Sequence, residues 1–292
     1  KAFKGDWGGE VHTKRPGIVQ TLNRLSYFSF MCQLRKTNLH IGSDGAKVVE
    51  PRLLNGTQYG LLCPIHSPDG GNVGLHKHLS TSTHITSGVP SGPYISYLRK
   101  LNMLLLEECS LDMMANSTKI FLNGGWIGMT ISPTNLVKTL KLHRRNNIIY
   151  TYTSILFDIK RNEIQMWVDA GRPCRPLFYK ENDKVSFDKK NIKDSLDDGS
   201  LTWKEIFCGF DNEYNSFNIT NIHPNIKSEE KLETTKAIVD YIDASEGEGI
   251  KIAKSTLTFE DIVASNNTHI EIHPSLILGF MANQIIFPEN NP

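Results

Sequence analysis

The chain has 292 residues, of which 39% are hydrophobic and 22% charged. That is enough apolar material for a buried core, so wholesale disorder is excluded, and the length suggests about two domains of ordinary size. Its 32 Lys and Arg against 31 Asp and Glu give a formal net charge of +1, which excludes a globally basic nucleic-acid coat but not a local basic surface.

In chain order, Ile18 to Asn38 predicts a helix, with apolar residues at Ile18, Leu22, Leu25, Phe28, Met31 and Leu34. Arg35 and Lys36 fall in its last turn, where cations suit the helix dipole. Gly42-Ser-Asp-Gly45 predicts a turn. From there to His84 the chain is rich in Gly and Pro, a loop-built region of the kind that carries sites. Pro93 to Cys109 predicts a second helix, with Leu101, Leu104 and Leu105 on its core face. Ile120-Phe-Leu and Trp126-Ile-Gly-Met predict strands around Gly124-Gly125. Ser132-Pro133 opens a helix through Leu136, Val137 and Leu140 that ends at Arg144-Arg145-Asn146. Ile155 to Ile159 and Ile164 to Val168 alternate across Lys160-Arg161-Asn162, a hairpin pattern. Asp183 to Gly199 reads as polar, turn-rich and exposed. A further unit runs from about Leu201 to Ala253, and His269 begins a new apolar segment.

The densest motif is Gly60-Leu-Leu-Cys-Pro-Ile-His-Ser-Pro-Asp-Gly-Gly-Asn-Val-Gly-Leu75. Gly allows close backbone approach and Pro limits the alternatives, so this path is tightly specified, as a ligand-facing loop or as a structural one. Cys63, His66, His76 and His78 are possible zinc ligands, but their spacing lacks the paired short-range pattern of a zinc framework, and the set reads as structural. Arg24, Arg35, Lys36, Lys47 and Arg52, interleaved with Tyr27 and Phe28, make a local basic surface that suits a phosphate backbone or a solvated helix face. The acidic run Asp240, Asp243, Glu246, Glu248 lacks EF-hand order and reads as a solvated turn. Phosphate-loop, dinucleotide, nucleophile-elbow and zinc-protease motifs are absent from the sequence. No apolar run reaches the ~20 residues of a transmembrane helix. Cys32, Cys63, Cys109, Cys174 and Cys208 are scattered and odd in number, which indicates a reducing compartment and no disulfide framework. With no signal peptide, no initiator Met and an end at Pro292 after an apolar segment, the sequence reads as a piece of a longer intracellular polypeptide.

Four stretches, Leu22-Asn-Arg-Leu-Ser-Tyr, Leu34-Arg-Lys-Thr-Asn, Cys63-Pro-Ile-His-Ser-Pro-Asp-Gly and Asn72-Val-Gly-Leu, resemble the fork region of the second-largest, beta-like subunit of multisubunit DNA-directed RNA polymerases. Phe121-Leu-Asn-Gly-Gly-Trp-Ile-Gly and Asp169-Ala-Gly-Arg-Pro-Cys-Arg-Pro-Leu-Phe178 resemble its first external domain. Asp240-Tyr-Ile-Asp-Ala-Ser-Glu resembles the second, and Thr268-His-Ile-Glu-Ile-His-Pro-Ser-Leu-Ile-Leu-Gly the start of its hybrid-binding domain. The Asp-Ala-Gly-Arg form is that of the eukaryotic, archaeal and large-DNA-virus branch. His66 stands where the family commonly has an acid, and Asp69 where it has Glu.

The resemblance implies an α+β, multi-domain fragment of mixed helices and small antiparallel sheets. It divides the chain into a fork region over 1–110, an external domain over 111–182, a second over 183–256 and a truncated hybrid-binding start over 257–292. It implies DNA-directed RNA polymerase activity in the assembled complex, with the fragment itself inactive. No residue here would be catalytic. Gln20, Arg24 and Arg52 would face the nucleic-acid path, Asp69 and Asn72 the growing RNA end, and the Gly42 to Pro51 loop the downstream DNA fork. Magnesium would be held by the largest subunit, with no cofactor or metal on this fragment. The implied partners are the largest and smaller polymerase subunits, template DNA, nascent RNA and ribonucleoside triphosphates, with no membrane. The implied location is the nucleus for a cellular eukaryotic enzyme, or host cytoplasm or virion for a viral one. A non-catalytic nucleic-acid-binding or scaffold protein built from polymerase-like domains is the alternative reading.

Overall fold

Ser26 sets where the first helix begins. Its hydroxyl accepts a hydrogen bond from the Ser29 amide at 3.2 Å, which satisfies one of the donors a helix start leaves open, and α1 runs over Tyr27–Leu34. The helix is thus shorter than the expected 18–38. Residues 20–25 are not helical, and Lys36–Asn38 forms strand β1, paired antiparallel with β2, His76–His78. Arg35, at the change of direction, donates to the carbonyls of Ser80, Thr81 and Thr83 at 2.6, 3.3 and 3.1 Å. These bonds hold the chain beside β2 and off the helix axis.

The computed structural model describes residues 20–39, 48–181, 184–187, 189–200, 202–209, 229–254 and 266–290. The turn expected at Gly42-Ser-Asp-Gly45 and most of the expected fork loop lie outside them. Two compact units emerge: Lys1–Thr83 with Ser275–Pro292, and His84–Pro274. The two parts of the first unit are tied by hydrogen bonds. The Thr81 amide donates to the Leu278 carbonyl at 2.9 Å, the Ser80 hydroxyl to the Ile277 carbonyl at 2.8 Å, and the Asn283 amide side chain to the Thr81 hydroxyl at 2.8 Å.

In the second unit, β3 spans His84–Ser87 and α2 spans Ser91–Lys100. The expected helix over 93–109 ends early, because Asn102 takes a left-handed φ of 63° and the chain turns into strand β4, Leu104–Leu105. The face that α2 buries is Tyr94, Tyr97 and Leu98, while Leu101 and Leu105 pack only at its margin. A short helix, α3, follows at Leu111–Asn116, capped by Ser110. The two strands expected around Gly124-Gly125 are β5, Thr118–Leu122, and β6, Gly125–Thr130. Asn123 and Gly124, with φ of 50° and 80°, make the left-handed turn between them. Helix α4 spans Pro133–Arg145, and the expected hairpin is β7, Ser154–Asp158, with β8, Glu163–Trp167.

These strands form one sheet in the order β4-β6-β5-β8-β7. It departs from the expected all-antiparallel arrangement at β5 and β8, which run parallel. Tyr97, Leu98, Ile120, Leu140, Ile155 and Ile164 are fully or almost fully buried in the core between this sheet and helices α2 and α4. Within that core the Tyr97 hydroxyl meets His143 Nδ1 across the two helices, and burial pushes the His143 imidazole down to about 4.

The second sheet is organised by one long strand, β9, Ala170–Glu181. It pairs antiparallel with β3, and then in chain order with β10 (Lys184–Val185), β11 (Val239–Asp243) and β13 (His269–Ile270). A further strand, β12, Ile252–Ala253, runs parallel to β13. Helices α5 (Lys189–Asp197), α6 (Trp203–Cys208) and α7 (Glu229–Thr235) lie between β10 and β11 in the chain, so the expected turn-rich stretch 183–199 is largely helical. The last helix, α8, is a single turn, Ala244–Gly247. The architecture is α+β.

Of the acidic run expected to be solvated, Glu248 is exposed and the other three residues are buried instead. Asp240, Asp243 and Glu246 are 2%, 4% and 1% exposed, because each meets an arginine. Arg144 donates to both Glu246 oxygens at 2.6 and 3.1 Å and to the Thr153 carbonyl at 2.8 Å. Arg145 donates to Asp240 at 2.7 Å and lies with its guanidinium 3.5 Å from the centre of the Tyr179 ring. Arg172 donates to Asp243 at 2.8 Å and to the Tyr152 carbonyl at 2.9 Å, and Arg175 to Glu271 at 2.8 Å. The cations at the end of α4 therefore do more than complement a helix dipole: they satisfy β11 and α8.

Removing one partner of such a pair strands a buried charge and costs about 3–5 kcal/mol. Burial alone would push the Asp240 carboxyl up, but Arg145 and Arg144 outweigh it and hold it well below the usual carboxylate range. Its contribution to stability is therefore complete above the unfolded value of about 3.9 and is lost as pH falls through the lower folded value. We expect Asp240→Ala to lower the chemical-denaturation stability of this unit by about 3–5 kcal/mol at neutral pH. We also expect the difference between it and the parent protein to shrink only below about pH 4.

Candidate nucleic-acid interface

The Gly/Pro-dense run folds as a series of tight turns. Pro68 leads into Asp69, whose carboxylate accepts from the Gly70 amide at 2.8 Å and caps a single 3-10 turn, Gly70–Asn72. The turn is closed by the Val73 amide on the Gly70 carbonyl at 3.1 Å and by the Leu75 amide on the Asn72 carbonyl at 3.0 Å. The Ser67 hydroxyl accepts from the Gly74 amide at 2.7 Å, so the loop is bound to itself from both sides.

Arg52 fastens this turn from outside. Its guanidinium donates to the Gly71 carbonyl at 2.8 Å and the Val73 carbonyl at 3.0 Å, and its Nε to the Val48 carbonyl at 3.1 Å. Gly74 is required by the same contact. It has a φ of 72°, and a Cβ there would stand 2.2 Å from the Arg52 carbonyl oxygen.

The expected site residues thus divide. Asp69 and Asn72 share one exposed, pre-shaped turn, against which Arg52 reaches from Glu50–Arg52, whereas Gln20 and Arg24 lie on the exposed stretch before α1. Arg24 stacks over Phe30 at 5.8 Å from the ring centre. Arg52 was expected to face a phosphate path, and the structure gives its guanidinium a task within the protein. Asp69 caps its turn and remains exposed.

Sequence reasoning missed what the arginine pairs do. Their signal was present, in that Asp169-Ala-Gly-Arg and Asp240-Tyr-Ile-Asp carry charges of opposite sign in segments rich in apolar residues. Among the described residues the convergent ligating side chains are Cys32, His66 and His78, while Asp240, Asp243 and Glu246 are held by arginines. The set suggested by spacing is not the one that gathers, since Cys63 packs against Gly279.

Comparison with known proteins accords with this organisation. Residues 20–85 match the family described as RNA polymerase Rpb2, domain 3, and residues 120–181 match RNA polymerase Rpb2, domain 4. The chain is 34% identical to DNA-directed RNA polymerase II subunit RPB2 of Encephalitozoon cuniculi, over 98% of its own length and 23% of the relative. It is 32% identical to the same subunit of Schizosaccharomyces pombe, over 98% of the chain and 25% of the relative. It is 26% identical to DNA-directed RNA polymerase subunit 2 of Acanthamoeba polyphaga mimivirus, over 98% of the chain and 24% of the relative. The chain belongs to the family of second-largest subunits of multisubunit DNA-directed RNA polymerases. It spans about a quarter of the length of the relatives it matches.

Loss of the Asp69 cap should cost about 1 kcal/mol locally, which is roughly fivefold faster amide exchange over 70–75. Gly74→Ala, which forces a clash and a strained φ, should raise exchange further than Asp69→Ala. Hydrogen-exchange mass spectrometry of the two variants checks the order, and equal exchange would remove the clamp at Arg52.

Proposed function

We propose that this chain forms the fork and wall side of the active-centre cleft in the second-largest subunit of a DNA-directed RNA polymerase, where it contacts the DNA/RNA hybrid during template-directed RNA synthesis. The observation that carries this reading is the turn Gly70–Gly74: exposed, fixed at both ends, and held at a set height by Arg52. A turn with so little freedom suits the positioning of an RNA end, because displacement of reacting groups by about 1 Å costs on the order of a hundredfold in rate. Arg24 and Gln20, exposed on the stretch before α1, suit backbone contacts that position nucleic acid without reading its bases.

In this reading the residues divide into a fork region over 1–110, external domains over 111–182 and 183–256, and the start of a hybrid-binding domain over 257–292. Magnesium and the groups that hold it come from the largest subunit. The remaining partners are smaller polymerase subunits, template DNA, nascent RNA and ribonucleoside triphosphates. Exposed Leu25, Tyr27, Leu53, Leu54, Tyr59 and Ile65 give the first unit more apolar surface than a free-standing domain needs, which favours cover by a larger assembly. Among the described residues no helix is long and apolar enough to cross a membrane. The location is intracellular: the nucleus for a cellular enzyme, host cytoplasm or virion for a viral one.

In the assembled enzyme, Asp69→Ala should alter elongation rate or misincorporation while assembly stays normal. Arg24→Ala should weaken retention of nucleic acid and reduce the slope of log affinity against log salt by about 1. Unchanged elongation, fidelity and salt slope together would overturn the proposal.

A further inference from the structure

Three ligating side chains converge in the first unit from separate parts of the chain. Cys32 comes from α1, His66 from the turn-rich loop and His78 from β2. One ligand atom from each lies within 4.8 Å of the other two. The ligand atoms of a tetrahedral zinc ion lie roughly 3.3–3.8 Å apart, so about 1 Å of closure, with one of the two stacked imidazoles turned out of the stack so that both ring planes meet the ion, completes the set. Cys32 and His78 are 7% and 8% exposed, and His66 is half-buried.

Two further observations point to a ligand. The His66 and His78 rings are stacked, 3.6 Å between centres and 6° from parallel, and the Nδ1 atom of each is buried without a hydrogen-bond partner. Two orphaned ring nitrogens side by side carry a desolvation cost that a metal ion removes. The cluster also opens onto a depression of about 430 Å³ lined by Gln33, Lys36, Ser67 and His76 among others, which provides an entry path and an open position.

We propose that Cys32, His66 and His78 form a zinc site that staples α1, the Cys63–Leu75 loop and β2 together. One thiolate and two imidazoles suit this borderline cation, and a fourth position is left to the depression. Burial pushes the His78 imidazole down to about 4, with His66 and Lys36 adding to the effect, and burial likewise lowers His66. Both shifts favour the uncharged form of the ring. Binding releases the Cys32 thiol proton to solvent, and the thiolate offsets the positive charge of Lys36 beside the site. The site differs from the Cys63, His66, His76, His78 set in having Cys32 in place of Cys63 and in leaving out His76, and it revises the sequence expectation that this part of the chain holds no metal.

The test uses the complete subunit in its assembled polymerase, equilibrated with zinc chloride and freed of excess metal. An anomalous difference map at the zinc edge should show a peak bounded by Cys32 Sγ and the two rings. Cys32→Ser and His78→Asn should each lose one zinc per subunit relative to the parent protein, while Cys63→Ser should keep it. No peak at this position in zinc-equilibrated protein overturns the proposal, as does a full zinc count in Cys32→Ser. If either variant fails to assemble, the map of the unaltered protein decides alone.

Discussion

The second unit depends on four arginines, three buried and Arg172 partly so, being met by carboxylates. Arg144 and Arg145 leave the end of α4 and reach Glu246 and Asp240, and Arg172 and Arg175 leave β9 and reach Asp243 and Glu271. Each pair joins segments far apart in the chain. Such pairs are weak sources of net stability, because desolvation offsets most of the attraction. What they impose is registry. A strand shifted by one residue would leave a full charge unpaired in the interior, a larger penalty than the loss of an apolar contact. The order of β11 and β13 about β9 is fixed in this way as much as by their backbone bonds.

The first unit is specified differently. Its loop run holds few buried apolar side chains and relies on backbone hydrogen bonds, on Arg35 and Arg52 reaching for carbonyls, and on glycines where the chain approaches itself. The guanidinium group suits both tasks, since its fixed fork of donors satisfies several carbonyls at once. The Gly70–Gly74 turn is stiff through these bonds while remaining exposed.

Elements with strong local signals were legible in the sequence. The hairpin of β7 and β8, the turn at Asn123-Gly124 and helix α4 with its end at Arg145 all follow from alternation, turn chemistry or helical spacing. The elements misread were those decided by distant partners. Periodicity alone cannot show that Arg35 is drawn to carbonyls near residue 80, which ends α1, or that Asn102 turns the chain towards β6. The acidic run at Asp240 looked solvated because its arginines lie about a hundred residues away in sequence. For the candidate interface, the tightly specified turn that carries Asp69 and Asn72 was readable from the Gly/Pro pattern. The structural task of Arg52 was not, since a basic residue in a basic stretch carries no mark of which oxygen it will meet.

The first unit is discontinuous, with Thr81 bonded to Leu278 and Asn283 across the whole of His84–Pro274. On the ribosome this has a consequence in time. At 5–20 residues per second, the N-terminal part must wait roughly ten to forty seconds before the segment that completes it emerges. The strand β9 waits too, since β13 is made about ninety residues later. Over that interval the Gly/Pro-rich loop and one edge of β9 are exposed to the cytosol without their partners. Vectorial synthesis thus favours closure of the sheet around Ile120 and Ile164 first. It leaves the contacts of Ser80 and Thr81 with Ile277, Leu278 and Asn283 to form last.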